Sequence, residues 1–169
     1  MNWYIEVLTK YAVFTGRARR REYWYFFLFS SIISIILRAV DVATGNLYWV
    51  EGGIGLFGGI YGLAVLIPST ALTVRRLHDT NRSGWWLFII ALVVPLISLI
   101  LMSLISGVIT DEQPPQPPIT GVIVLLMLTL LALLALLNGV SLIVFLIFML
   151  QGGTQGLNRY GGDPKQGYV

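Results

Sequence analysis

The sequence predicts an all-α integral membrane protein, a bundle of four transmembrane helices with an N-terminal amphipathic helix at the interface. Three observations carry this. Four apolar runs, over about 23–43, 54–74, 85–106 and 121–150, each reach the ~20 residues that a helix needs to cross a ~30 Å hydrocarbon core. Hydrophobic residues make up 56% of the chain and charged residues only 11%, against about 25% charged in soluble domains. The positive charges also fall almost entirely on one side of the resulting weave. Lipid offers the backbone no hydrogen bonds, so an open chain of this kind crosses as helices.

The arm over 1–22 opens with MNWYIEVLTKYAVF. Trp3, Tyr4, Val7, Leu8 and Tyr11 recur at helical spacing, with Asn2, Glu6, Thr9 and Lys10 opposite. This is the pattern of an interfacial helix over 1–14. Thr15-Gly16 breaks it, and Arg17 to Glu22 then lead into Tyr23-Trp24-Tyr25, arginines at headgroup depth followed by an aromatic belt. The first run exits through Leu37-Arg38-Ala39-Val40-Asp41. That exit gives a signal peptidase little to cleave, so the run is read as a retained span.

The second span carries Gly55, Gly58, Gly59 and Gly62, two overlapping small-x-x-x-small pairs. Such residues let helix backbones approach closely in lipid, and a substrate path along the same face is the alternative. Pro68 predicts a kink here, and Pro95 predicts one in the third span. The loop TDEQPPQPPITG then suits polyproline conformation. The fourth run is ~45 Å long as one helix, so it tilts, projects or bends, and Asn138-Gly139 is the expected bend. No piece outside the spans, including the tail over 151–169, is long enough to bury its own core, so 1–169 reads as a single membrane domain.

Lys10, Arg17, Arg19, Arg20 and Arg21 lie in the arm, Arg75, Arg76 and Arg82 between spans two and three, and Arg159 and Lys165 in the tail. The other two loops hold Glu51, Asp111 and Glu112 and no positive residue. The positive-inside rule places both termini in the cytoplasm. The net charge of +3 follows from that topology and from contact with anionic lipid headgroups. With no basic face on a folded module, a nucleic-acid partner is not expected.

Candidate functional residues concentrate on the basic side. Arg17, Arg19, Arg20, Arg21, Arg75, Arg76, His78, Asn81, Arg82 and Arg159 offer guanidinium, imidazole and amide donors that suit a phosphate or lipid headgroup. The plainer alternative is that these arginines fix topology while Asp79 pairs with a neighbouring arginine and Asn81 shapes a turn. Within the spans, Arg38 and Asp41 stand at i and i+3, either pairing and snorkelling outward or lining a path. Asn138 reads as interhelical glue. One histidine and no cysteine make no convincing metal site, and no nucleophile motif or phosphate-binding loop is present. Neither a catalytic residue nor a cofactor is expected.

Three stretches in order, YAVFTGRARRREYWYF, VRRLHDTNRSGWW and GLNRYGGDPK, resemble a bacterial inner-membrane family, domain of unknown function 805, the YhaH-like proteins. The likeness spans almost the whole chain and implies a small membrane protein of about four helices with cytoplasmic ends. Asn81 stands where that family usually has glycine, and the TDEQPPQPPITG loop looks extended. The resemblance supplies no reaction, ligand or catalytic residue.

The expected function is a noncatalytic membrane component: a scaffold, a partner subunit or a sensor whose basic cytoplasmic face contacts anionic lipid. The alternatives are a small oligomeric transporter or channel and, third, a membrane enzyme acting on lipid phosphates. Partners are lipid headgroups, with a homo-oligomer or other membrane proteins as protein partners. Reporter fusions after Gly52 and Pro117 are expected to report outside, and one at Val169 inside. An outside signal at Val169 ends the four-span topology.

Overall fold

The computed structural model describes residues 3–46, 55–110 and 119–165. The described residues are helical, with one isolated bridge, Asn158 to Gly161, in the tail. Helices α1 (Trp3–Thr9), α2 (Arg20–Ala43) and α3 (Leu56–Asp79) are followed by α4 (Trp85–Phe88), a π-helical turn (Ile89–Val93), α5 (Val94–Thr110) and α6 (Ile119–Leu150). Four helical segments are long and apolar enough to cross a membrane: Arg20–Ala43, Leu56–Asp79, Trp85–Ser103 and Val124–Leu150. The chain divides into two compact units, Met1–Gly84 with Met149–Val169, and Trp85–Phe148.

In the first unit α2 and α3 run antiparallel. Glu22 meets Arg75 at one end, and Asp41 meets the start of α3 at the other. Asp41 is fully buried and accepts the Phe57 and Gly58 amides, each at 2.9 Å. It therefore answers two donors that a helix start leaves without partners. Gly55 admits it, because a Cβ there would lie 2.1 Å from the Asp41 Cγ. Gly55 thus serves a carboxylate. A Cβ on Gly58 would only touch Asp41 Oδ2 at 3.4 Å, and one on Gly62 would meet nothing within 4 Å. Arg38 is exposed and forms no ion pair among the described residues, so Asp41 is committed to α3 and not to Arg38.

Helix α3 runs five residues past the apolar run, so half of the expected loop over 75–84 is helix. Those residues are nearly all buried, and burial against the arm and tail extends the helix where hydropathy alone stops it. Pro68 lies inside α3 and is fully buried. Its ring nitrogen cannot donate to the Ala64 carbonyl four residues back. The Tyr11 hydroxyl donates to that carbonyl instead, at 2.8 Å. In lipid no water is available to do so.

The N-terminal helix is shorter than expected, seven residues, and packs on protein. Val7 is fully buried, the Tyr4 ring stacks on Phe26 at 5.2 Å, and the Tyr4 and Tyr61 hydroxyls lie 2.9 Å apart. Burial, and then the bond to Tyr61, push the Tyr4 hydroxyl up to about 12. The apolar stripe read as a lipid-facing surface has found partners on α2 and α3.

The second unit holds the third and fourth spans. A π-helical turn precedes Pro95, with the Val94 amide reaching the Ile89 carbonyl, so the span absorbs its missing donor by widening one turn. Asn138 donates to Ser98 Oγ at 2.7 Å and to its own Leu134 carbonyl at 2.8 Å, and Trp86 packs edge-on against Phe148. Helix α6 continues unbroken through Asn138-Gly139 for 32 residues, or about 48 Å. The most apolar windows of these two spans bury none of their residues.

Tyr11→Phe is expected to cost about 1 kcal/mol by orphaning the Ala64 carbonyl. The loss should vanish in a Pro68→Ala background, where the restored amide answers that carbonyl. Thermal unfolding of the four proteins in one detergent measures the coupling. Equal losses in both backgrounds would sink the compensation.

Candidate functional site

The end of α3 places Arg76 and Asp79 at i and i+3, on one helix face, and Arg76 Nη1 donates to Asp79 Oδ2. The arm brings Arg17 to the same carboxylate, Nη2 at 2.9 Å and Nε at 3.0 Å from Oδ1. All three side chains are buried, 2% exposed for Arg17, 0% for Arg76 and 6% for Asp79. One carboxylate therefore serves two guanidiniums, and the remaining donors reach main-chain oxygens of the tail and of the last turn of α6. Arg17 donates to the Thr154 and Gly156 carbonyls, and Arg76 to those of Met149 and Gln151. The Thr154 amide returns a bond to the Asp79 carbonyl at 2.9 Å. Gly153 permits this approach, since a Cβ there would lie 2.1 Å from Asp79 Oδ2.

A second layer closes the latch. The His78 ring stacks on Tyr160 with centroids 3.8 Å apart and planes 4° from parallel, while its Nδ1 lies 3.2 Å from the Gly16 carbonyl. Asn158 Nδ2 donates to the His78 carbonyl at 3.0 Å. Asn81 ends α3 with φ 60 and leaves the Arg82 amide on the Leu77 carbonyl at 3.0 Å. Asparagine tolerates this left-handed conformation better than other non-glycine residues, which accounts for Asn81 at a position suited to glycine. Arg159 donates to the Asn81 carbonyl at 3.0 Å, and Arg82 to Gln151 Oε1 at 2.8 Å. Farther along the tail, the Lys165 amide donates to Asp163 and holds its carboxyl below the usual range.

The ten residues expected to share one anion are thus brought to one end of the first unit but face different ways. Arg17 and Arg76 face Asp79, and Arg75 faces Glu22 at 3.3 Å with its Nε and Nη2 buried and unpartnered. His78 and Asn81 shape the latch. Arg19 reaches the Pro164 carbonyl and Arg20 the Leu150 carbonyl. Arg21 is exposed and has no polar partner among the described residues. A guanidinium carries five donors in a fixed fork, and in Arg17 and Arg76 each nitrogen already donates to the Asp79 carboxylate or to a main-chain carbonyl. The expected pairing of Asp79 with a neighbouring arginine is present, to Arg76; the acceptors that sequence reasoning passed over are Glu22 and the tail backbone. The signal was one acid inside each of the first two arginine-rich stretches.

Asp79→Asn is expected to leave Arg17 and Arg76 buried without a countercharge and to cost about 3–5 kcal/mol. Proteolysis of the tail near Gly152 should accelerate accordingly. Arg159→Ala, at an exposed bond, should cost about 1 kcal/mol or less. An Asp79→Asn protein that melts and resists protease like the wild type removes the carboxylate from its place at the centre.

The latch is built from the arm, the end of α3 and the tail, the stretches that carry the sequence likeness. A family model described as "Protein of unknown function (DUF805)" matches residues 11–162. The inner membrane protein YhaH of Escherichia coli K12 is 34% identical over 98% of this chain and 98% of its own length. The inner membrane protein YhaI of the same strain is 32% identical over 99% and 98%. No solved structure matches. With a match across most of its length and four helices able to cross a membrane, the chain belongs to the DUF805 family of proteins of unknown function.

Proposed function

We propose that this protein is a noncatalytic membrane component, with both termini in the cytoplasm, whose latched arginine-rich end presents a rigid basic surface to anionic lipid and to partner membrane proteins. The observation that carries this reading is the closed circuit around Asp79. A catalytic or transport site needs polar groups open to a substrate, whereas Arg17, Arg76 and Asp79 are buried against one another. Two polar groups inside the spans are similarly engaged, Asp41 by the α3 amides and Asn138 by Ser98. That arrangement favours the scaffold over the transporter, whose path needs uncommitted polar groups at depth. The lopsided count of arginines supports the orientation.

Reconstitution into anionic vesicles tests it. Neither ion or solute flux nor release of phosphate from lipid should exceed that of empty vesicles. Flux that depends on the protein transfers the reading to the transporter, and protein-dependent phosphate release transfers it to an enzyme.

A further inference from the structure

Beside the latch, against the first turns of α2, lies an open cavity of about 740 Å³ with a divided lining. Arg19, Arg20, Arg21 and Lys165 supply its charge, while Trp24 and Leu28 lead its apolar wall. No acid lines it among the described residues. This sets it apart from the latch, where each buried guanidinium faces a carboxylate. Bonds from Arg19 to the Pro164 carbonyl and from Arg20 to the Leu150 carbonyl hold two of the cations in place. Arg20 uses only Nη1 for this, at 3.2 Å. Arg21 is exposed and engages no polar group among the described residues. Trp24 is braced edge-on by Tyr23 at 5.4 Å and Phe27 at 6.0 Å, which gives the apolar wall a fixed face.

We propose that this cavity binds an anionic, phosphate-bearing lipid, with the headgroup phosphate among Arg20, Arg21 and Lys165 and the glycerol and upper chain along Trp24 and Leu28. Guanidinium forks match phosphate oxygens. The apolar wall adjoins them where an aromatic belt meets headgroups, and a soluble phosphate would leave that wall unused. The site rests on the reading of a lipid-contacting basic face, and its failure is distinguishable because lipid retention is measured without reference to flux or turnover.

The test uses delipidated full-length protein in neutral detergent. Phosphatidylglycerol, phosphatidylcholine and inorganic phosphate are added separately, and binding is read by native mass spectrometry and by thermal shift. Phosphatidylglycerol should bind and stabilise, phosphatidylcholine should do so weakly, and inorganic phosphate should have no effect. Arg20→Gln/Arg21→Gln should weaken phosphatidylglycerol binding on the order of tenfold or more, the scale set by two headgroup charge contacts. Arg38→Gln, at the opposite end of α2, should leave it unchanged. Single Arg21→Gln, at an exposed residue, keeps the test open if the double variant misfolds, and should weaken binding severalfold. Equal weakening by Arg38→Gln reduces the effect to overall charge and overturns the site. Equal stabilisation by inorganic phosphate overturns the lipid as its occupant.

Discussion

The Asp79 carboxylate organises the basic end of this protein. Two buried guanidiniums, Arg17 from the arm and Arg76 from α3, share it, and neither is stable in a low-dielectric interior without a countercharge. Satisfying them fixes the arm relative to α3. Their remaining donors must also find acceptors, and the tail backbone supplies these through Gln151, Thr154 and Gly156, with Met149 from the last turn of α6. The tail is therefore folded by the electrostatics of the arginines, with no apolar core of its own. Gly153 is the steric condition for that arrangement.

The same rule, that polar groups away from water must be answered, recurs along the spans. Pro68 removes a donor, and Tyr11 reaches across from the arm to replace it. The start of α3 leaves amides without partners, and Asp41 crosses from the end of α2 to accept two of them. Pro95 is accommodated by a π-helical turn, and Asn138 is paired with Ser98. At Pro68 and at the start of α3 the partner is placed elsewhere in the chain, and at Pro95 it lies within the same span. Backbone satisfaction in lipid thus adds to apolar packing in tying the arm to α3.

This separates the arginines into two kinds that composition cannot distinguish. Arg17, Arg75 and Arg76 point inward to acids and are architectural, whereas Arg20 and Arg21 line an open cavity beside an aromatic wall. Both kinds count equally toward topology, because insertion senses charge near the ends of spans and not its later partners. Only the outward kind remains available to a ligand, so an accurate account of function depends on the fold that sorts them.

The sequence by itself determined the helical class, the four spans and the segments that matter. Lipid enforces runs of about 20 apolar residues, and such runs are visible without any tertiary knowledge. It also pointed to the three polar stretches that meet at one end. It did not determine where α3 stops, because Arg75, Arg76 and Asp79 look like loop residues until the arm and tail bury them. Gly55 looked like a helix-packing residue, yet its small size admits the Asp41 carboxylate. Asn138-Gly139 looked like a bend, yet α6 runs through it unbroken. The arginines looked like one clamp, and tertiary structure divided them. A side chain's charge and size are local properties, but the acceptors that Arg17 meets are supplied from far along the chain, Asp79 at 62 positions and Gly156 at 139. Only the folded chain sets that distance to zero.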